Sequence, residues 1–243
     1  MSDTIIYNKE GIILHNADCM QVIRQMPDCS VDLVCTDPPY RCSPRGHGGT
    51  WCEWQNDGKC FPHNDIRPEE WLPEVYRVLK DRTHCYIMTN NLNLCRFIDV
   101  GRECGFKFLK SLIWLKSNRI CCHHYMNSYE HILMFAKGKD RIINNPSTPD
   151  VIRVDGWRKL RNGDGNLHNT EKPVELMKTL IGNSTNEGEV VLEPFAGIGS
   201  TAIAAKCLNR RCIACEIDAS FASTAVRRLE DQPVVDTGQI TMF

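Results

Sequence analysis

The chain carries four adjacent residues of complementary chemistry, Asp37-Pro38-Pro39-Tyr40, directly after an apolar run. Each proline fixes its own φ and drives the residue before it into an extended conformation, so the carbonyls of Asp37 and Pro38 cannot enter a helix. These carbonyls and the Asp37 carboxylate are hydrogen-bond acceptors, and Tyr40 offers a flat face for stacking. The four residues could therefore hold a planar group with an exocyclic amine, such as adenine or cytosine. The alternative is a turn that only ends a strand, with Tyr40 packed on it.

A second segment, from Val190 to Ser200, has the pattern of a buried strand, a tight glycine turn and the start of a helix. Gly197 and Gly199 lack a Cβ where a ligand would approach the backbone, and the helix N-terminus behind them offers free N–H groups. The next predicted strand ends at Glu216, whose carboxylate could accept hydrogen bonds from two ribose hydroxyls. Because the third glycine of a dinucleotide fingerprint is missing, a nucleoside without a pyrophosphate fits better.

The elements that must position these residues alternate between strands and helices, which is typical of a mostly parallel sheet with helices on both faces. Two long segments, 41–67 and 144–169, have no clear periodicity and are predicted to be functional loops. Helices are predicted after Asp18 up to Pro27 and at 68–79, 92–104, 173–181, 200–208 and 219–229. Strands are predicted at 11–15, 31–36, 84–89, 106–115, 130–136, 189–193 and 211–216.

Length and composition predict one α/β domain over residues 1–243, since 42% of the residues are hydrophobic and can form a full core. No apolar run approaches the ~20 residues of a membrane span. The N-terminus lacks the basic and apolar regions of a secretory signal, so we expect a cytoplasmic protein. The 14 cysteines are then expected to be reduced thiols, several of them small core residues.

Two groups of cysteines and histidines could be considered as metal sites. Neither has the paired CxxC spacing of a structural zinc site, so we predict that the protein holds no metal. The first group is Cys42, His47, Cys52, Cys60 and His63, and the second is Cys121, Cys122, His123 and His124.

The formal net charge of −1 argues against a protein that coats nucleic acid, but it permits a local basic face. The segment 106–128 contains four cations and no acidic residue, which predicts either such a face or an ordinary solvated surface. The four cations are Lys107, Lys110, Lys116 and Arg119.

Together, these motifs resemble those of the β-class DNA amino-methyltransferases, which use S-adenosylmethionine. The resemblance covers about residues 11 to 230. It implies a Rossmann-like, seven-stranded, mostly parallel sheet with a reversed final strand, permuted so that the catalytic half precedes the cofactor half. This order differs from that of methyltransferases acting on protein glutamine or ribosomal RNA, whose glycine loop usually comes first. The motifs occur in the order Asp37 to Tyr40, His168-Asn169-Thr170-Glu171-Lys172-Pro173, Phe195-Ala196-Gly197-Ile198-Gly199-Ser200, and Glu216.

The resemblance also implies a role for each site residue. Asp37, Pro38, Pro39 and Tyr40 would hold and stack a flipped base in duplex DNA. Asp18 would receive the cofactor's adenine amine, although it could equally cap the helix that follows it. Lys172 could likewise be a surface lysine in the first turn of a helix. The residues implied to bind S-adenosylmethionine are Asp18, Asp37, His168, Glu171, Lys172, Phe195, Gly197, Gly199, Ser200 and Glu216.

Aspartate at position 37 favours the N6 amine of adenine, because the N4-cytosine enzymes of this class more often carry serine there. N4-cytosine methylation is the alternative. About 30 residues separate Ala136 from His168, too few for a large target-recognition domain. Recognition of the DNA sequence is therefore expected from loops 41–67 and 144–169 or from a second copy of the chain in a homodimer.

Two other classes of protein also fit part of the pattern. A nicotinamide-dependent oxidoreductase would use the glycine turn and Glu216, but it would leave Asp37 to Tyr40 and His168 to Pro173 without a role. A non-catalytic, zinc-stapled DNA-binding module would use the cysteines and the basic segments, but it would not need two matched sites.

Overall fold

A nine-stranded sheet runs through the computed structural model, which describes residues 4–39, 66–120, 125–154 and 172–232. The strands are β1 (Ile5–Lys9), β2 (Ile12–Asn16), β3 (Val31–Thr36), β4 (Leu79–Thr89), β5 (Lys107–Ile120), β6 (Asn127–Ala136), β7 (Val151–Arg153), β8 (Val190–Glu193) and β9 (Arg211–Glu216). The helices are α1 (Cys19–Ile23), α2 (Pro68–Val78), α3 (Leu94–Glu103), α4 (Val174–Ser184), α5 (Ser200–Cys207) and α6 (Ala219–Asp231).

The strands lie across the sheet in the order β1-β2-β9-β8-β3-β4-β6-β5-β7. The five strands from β2 to β4 in this order are parallel, whereas β6 runs antiparallel to both β4 and β5. The expected seven-stranded, mostly parallel sheet is therefore present from β2 to β5, and β6 is its reversed strand. A direct connection from β5 to β6 imposes that reversal, because neighbouring strands joined by a short link pair antiparallel.

Two short strands, β1 and β7, extend this sheet at its edges and were absent from the sequence-based prediction. Strand β1 pairs antiparallel with β2, and β7 pairs parallel with β5. Each strand buries one side chain, Tyr7 in β1 and Ile152 in β7. With so few inward residues, neither strand shows the apolar alternation by which a strand is recognised in a sequence.

Helices cover both faces of the sheet and enclose two apolar layers. Residues of α1, α2 and α3 pack on one face, with Trp71 and Phe97 among the largest fully buried side chains. Residues of α4, α5 and α6 pack on the other face, where α5 presents three buried small residues, Ala202, Ala204 and Ala205. None of the helices in the described ranges is long and apolar enough to cross a membrane.

The described cysteines are free thiols, as expected for a reduced protein, and several lie in the sheet. Cys35, Cys85, Cys212 and Cys215 are buried in β3, β4 and β9. Burial raises the pKa of each of these four thiols, because a thiolate is poorly solvated in an apolar core. They therefore act as small apolar residues.

The packing of α3 on β6 leaves no room for a side chain at Gly101, since an added Cβ would lie 2.8 Å from a ring carbon of Phe135. We expect Gly101→Ala to destabilise the fold, because crowding costs about 1–3 kcal/mol and exceeds the roughly 1 kcal/mol gained in helix propensity. The matched control is Gly182→Ala in α4, where the nearest atom would be 4.0 Å away. It should be neutral or stabilising. Urea unfolding measures both changes, and a stabilised Gly101→Ala would contradict the tight packing.

Candidate active site

The two predicted motifs meet where β3 and β8 are neighbours in the sheet. From β3 the chain continues to β4 on one side, and from β8 it continues to β9 on the other side, so the strand order reverses at this point. Open α/β sheets bind ligands outside the carboxyl ends of the strands at such a reversal. Val34 pairs with Leu192, so Asp37 and the glycine turn lie side by side at the same edge.

Asp37 lies at the exit of β3 and makes a close ion pair. Its Oδ2 accepts a hydrogen bond from Lys172 Nζ at 2.5 Å. Its Oδ1 is buried and has no hydrogen-bond partner in the described part of the chain. Pro38 is buried and Pro39 partly buried, whereas Tyr40 lies outside the described residues. The aspartate thus keeps one oxygen available as an acceptor.

Lys172 lies between two carboxylates that come from different strands. Its side chain is only 6% exposed, and its Nζ is 3.3 Å from Glu130 Oε2 of β6, without the geometry of a hydrogen bond. Glu130 also forms an ion pair with Lys116 of β5. The resulting row, Lys116, Glu130, Lys172 and Asp37, alternates in sign and is neutral when all four groups are charged.

Burial and these neighbours shift the pKa values within the row. Burial raises the pKa of Asp37, Lys172 opposes this shift, and Glu130 adds to it. For Glu130, two lysines outweigh burial, so its pKa is lowered. Burial alone would lower the pKa of Lys172, but its two carboxylate neighbours raise it, so the ammonium stays charged.

The glycine turn after β8 is tied to the end of β9 through Glu216. Gly197 N donates to Glu216 Oε2 at 2.7 Å, and Asp218 N donates to Oε1 at 2.8 Å. Burial raises the pKa of Glu216, while these backbone N–H groups oppose the shift. Each carboxylate oxygen has a second lone pair, so the group could still accept hydrogen bonds from ligand hydroxyls.

The turn has space on the ligand side and a hydroxyl available to bind. An added Cβ on Gly197 would meet nothing within 4 Å. Gly199 precedes α5 in a left-handed conformation, with φ of 87°, and the hydroxyl of Ser200 is buried without a partner among the described residues. Phe195 packs edge-on against Trp71 at 5.3 Å between ring centroids. These features fit a nucleoside cofactor held against bare backbone.

Glu193, at the end of β8, joins the two halves of the site and was missed by the sequence analysis. Its Oε1 accepts from Thr36 Oγ1 at 2.5 Å and from Phe195 N at 3.0 Å, and its Oε2 accepts from Thr201 Oγ1 at 2.7 Å. Burial raises the pKa of Glu193 to about 8. This carboxyl group therefore connects β3, the glycine turn and α5 without adding a full charge to the core at neutral pH.

Of the remaining predicted site residues, Asp18 lies in the described part of the chain. Asp18 caps α1, since its Oδ1 accepts from Met20 N at 2.9 Å, and its cofactor role stays a prediction. His168 and Glu171 lie outside the described residues, as do both cysteine and histidine groups considered for zinc. Within the described ranges, no cluster of three or more His, Cys, Asp or Glu side chains could hold a metal ion.

Glu130 and Lys116 were also missed as site residues. Lys116 is one of four cations in β5 and Glu130 is the acidic residue of β6, and the sequence carries no sign that both turn inward. Lys116 belonged to the basic segment 106–128, of which three lysines are in ion pairs. Lys107 pairs with Asp140 and Lys110 with Asp150, both through surface contacts. The expected basic face is therefore largely neutralised where the side chains are described.

Comparison with known proteins agrees with this geometry. A family model described as DNA methylase matches residues 31–227. The chain belongs to this DNA methylase family. The methylase is also 28% identical over 248 residues to the type II methyltransferase M2.DpnII of Streptococcus pneumoniae, and the match covers 92% of the chain and 91% of that relative.

Solved structures share the fold of the methylase. The complex of M1.HpyAVI with S-adenosylmethionine has a TM-score of 0.68 at 24% identity, covering 90% of this chain and all of that one. PvuII DNA methyltransferase, which is cytosine-N4-specific, has a TM-score of 0.70 at 14% identity, covering 92% and 88% of the two chains. At these identities the likeness establishes the fold, and the fold alone does not select the target base.

The two glycines of the turn should respond differently to the same substitution. In Gly199→Ala the new Cβ would lie 2.9 Å from Ala225 Cβ at a positive φ, so we expect a loss of about 1–3 kcal/mol in stability. Gly197→Ala adds a methyl group to open space at a φ of 52° and should cost only about 1 kcal/mol. It should nevertheless weaken binding of S-adenosylmethionine. Thermal unfolding and equilibrium binding separate the two effects, and unchanged binding by Gly197→Ala would place the ligand elsewhere.

The raised pKa of Glu193 predicts a pH-dependent stability. An unfolded glutamate has a pKa of about 4.3, whereas burial raises the pKa of Glu193 to about 8. Unfolding therefore releases a proton between these values, and the contribution of Glu193 to stability falls as pH rises through this window. The side chain of Glu193→Gln cannot ionise. The unfolding free energy of this variant, relative to that of the wild type, should therefore increase from pH 5 to pH 8.

Urea unfolding at the two pH values tests this expectation. Glu175→Gln, which removes an exposed carboxylate of α4, is the control and should show no comparable trend. A difference between Glu193→Gln and the wild type that is independent of pH would contradict the assignment.

Proposed function

We propose that the methylase transfers a methyl group from S-adenosylmethionine to the N6 amine of a flipped adenine in double-stranded DNA. The observation that carries the proposal is the buried Oδ1 of Asp37, which has no hydrogen-bond partner among the described residues and lies beside the glycine turn at the strand reversal. An acceptor in this position suits an exocyclic amine next to a nucleoside cofactor. An oxidoreductase would leave the acceptor without a role, and the family match also argues against that reading.

The cofactor half of the site has residues suited to S-adenosylmethionine, which, when bound, supplies a methyl group on a sulfonium for the amine to attack. The second lone pairs of Glu216 can accept the ribose hydroxyls, and Gly197 permits close approach of the backbone. Ser200 and the N-terminus of α5 suit a carboxylate. We also assign Phe195 and Gly199 to this half, with Asp18 at the cofactor's adenine and His168 and Glu171 at its methionine end.

The acceptor half of the site makes the amine reactive. The nitrogen of adenine N6 is a poor nucleophile because its lone pair is delocalised into the ring. If Asp37 Oδ1 accepts one N–H and the Pro38 carbonyl the other, the nitrogen is drawn towards tetrahedral geometry and its lone pair becomes available. After the nitrogen gains its bond to carbon, the Asp37 carboxylate can take the proton that it loses.

A cysteine nucleophile has no part in this chemistry. Methylation of a cytosine ring carbon would need a thiolate, and the described thiol in β3 next to the site, Cys35, has its pKa raised by burial. Amine methylation proceeds without a covalent enzyme intermediate. The buried thiols therefore agree with methylation at nitrogen.

The choice of adenine is based on the aspartate at position 37, since the fold is shared with a cytosine-N4-specific enzyme. N4-cytosine methylation stays the alternative. Either amine lies inside the duplex, so the base must be flipped out, and we assign Tyr40 to stack on it. Loops 41–67 and 144–169 are assigned to target recognition, because the described lysines of 106–128 are paired. A second copy of the chain is the alternative source of recognition.

The deciding experiment is transfer of a labelled methyl group from S-adenosylmethionine to unmodified duplex DNA, followed by nucleoside analysis. We expect N6-methyladenine. N4-methylcytosine would establish the alternative, and no labelled nucleoside would overturn the proposal. Equilibrium binding of S-adenosylmethionine against NAD tests the cofactor separately.

Asp37→Ala should nearly abolish methyl transfer. Losing one hydrogen-bond acceptor costs about 1–3 kcal/mol, a factor of roughly 5 to 150 in rate, and mispositioning of the amine adds to this. We expect the fold to persist, as measured by circular dichroism, because Lys172 keeps Glu130 as a partner. Glu175→Ala, at an exposed carboxylate, is the control. Full activity of Asp37→Ala would remove the aspartate from the mechanism.

A further inference from the structure

The row of four alternating charges extends well beyond the residue that would contact the amine. It begins at Lys116 in β5, passes through Glu130 in β6 and Lys172 before α4, and ends at Asp37 after β3. All four side chains are at most 24% exposed. Buried ion pairs contribute little net stability once desolvation is included, so stability alone does not account for this row.

The position of Glu130 is fixed from the side away from Asp37. Glu130 lies opposite Trp114 in the antiparallel pair of β5 and β6, and Lys116 is two residues further along the same face of β5. The ammonium of Lys116 lies 5.1 Å from the centre of the Trp114 ring while it pairs with Glu130. The carboxylate of Glu130 is thereby held beside Lys172.

We propose that Glu130 and Lys116 are positioning residues for methyl transfer, an inference that rests on the proposed function. Lys116 holds Glu130, and Glu130 attracts the ammonium of Lys172 towards β6. Lys172 therefore donates to Oδ2 of Asp37 and leaves Oδ1 open to the amine. Without Glu130, the ammonium, which has three donors, would turn fully towards Asp37 and compete with the substrate for both oxygens.

The same arrangement makes the charge of Asp37 sensitive to the far end of the row. Among the described residues, the charged and titratable groups that face Asp37 are Lys172, Glu130, Lys116, Glu193 of β8 and the thiol of Cys35 in β3. Burial is the largest cause of the raised pKa of Asp37, Glu130 raises it further, and Lys116 lowers it. Removing Glu130's charge should therefore lower the pKa of Asp37, and removing Lys116's charge should raise it.

The test is the pH dependence of methyl transfer to duplex DNA by Glu130→Gln, Lys116→Gln and the double variant. We expect kcat to fall roughly ten- to a hundred-fold in each single variant through mispositioning, while KM for S-adenosylmethionine changes less than about two-fold. The acid limb of the pH–rate profile reports the ionisation of Asp37. It should move to lower pH in Glu130→Gln and to higher pH in Lys116→Gln, by roughly half a pH unit or more. In the double variant the two shifts should oppose each other and leave a smaller shift to lower pH, because Glu130 acts on Asp37 more strongly than Lys116 does.

Three control variants isolate the positioning role. Lys116→Arg keeps the charge and should retain the wild-type acid limb. Glu175→Gln and Lys178→Gln remove the same charges from an exposed pair in α4 and should leave kcat and the limb unchanged. If Glu130→Gln fails to fold, Lys116→Gln and Lys116→Arg still carry the test.

Wild-type kcat and an unshifted acid limb in both single variants would overturn the inference. Shifts in the same direction, accompanied by lower unfolding midpoints, would also overturn it, because they would indicate a structural role only. A wild-type protein that does not methylate DNA would overturn the proposed function itself, an outcome distinct from an active wild type with unshifted variants.

Discussion

The hydrogen bonds of Glu193 are the interaction on which the rest of the site depends. They join Thr36 at the end of β3 to the glycine turn and to Thr201 of α5. A bare carboxylate in this core would be costly, and the raised pKa of Glu193 shows how the cost is reduced. Protonation neutralises the Glu193 carboxylate, so that the core needs no counter-ion there. Because both motifs are attached to one carboxyl group, the sheet sets the distance between Asp37 and the glycine turn, and in the proposed mechanism it would also set the distance between amine and cofactor.

The electrostatic requirement at Asp37 differs from that at Glu193. In the proposed mechanism Asp37 must present a good acceptor, so it needs negative charge and an oxygen that the amine can reach. A single lysine at hydrogen-bond distance would supply the compensation but would also occupy the oxygens. Sharing Lys172 with Glu130 separates these two effects. The site thus contains one buried carboxyl group that is neutralised by a proton and another that is compensated by a shared cation.

The parts of the fold that the sequence predicted well are continuous apolar runs that end at clear strand- or helix-terminating residues. Strands β3 and β9 have the predicted bounds, and both motifs follow the strands that were expected to carry them. The edge strands were missed because each buries one residue. Glu130 and Lys116 were missed for another reason: an inward charge is recognisable only when its partner is known, and the partner of each comes from a different strand. The local periodicity of a sequence does not indicate which strands will be neighbours in the sheet.

The parallel pairing of β3 with β8 also has a consequence for how the chain folds. Thr36 and Glu193 are 157 residues apart, and β2 pairs with β9 across about 200 residues. Closing such long loops lowers the conformational entropy of the chain before the stabilising contacts form, and a high contact order slows folding. During synthesis, the catalytic half leaves the ribosome well before β8 and β9. We expect it to remain without a finished sheet until those strands arrive, so the nascent chain gains both binding sites in one late step.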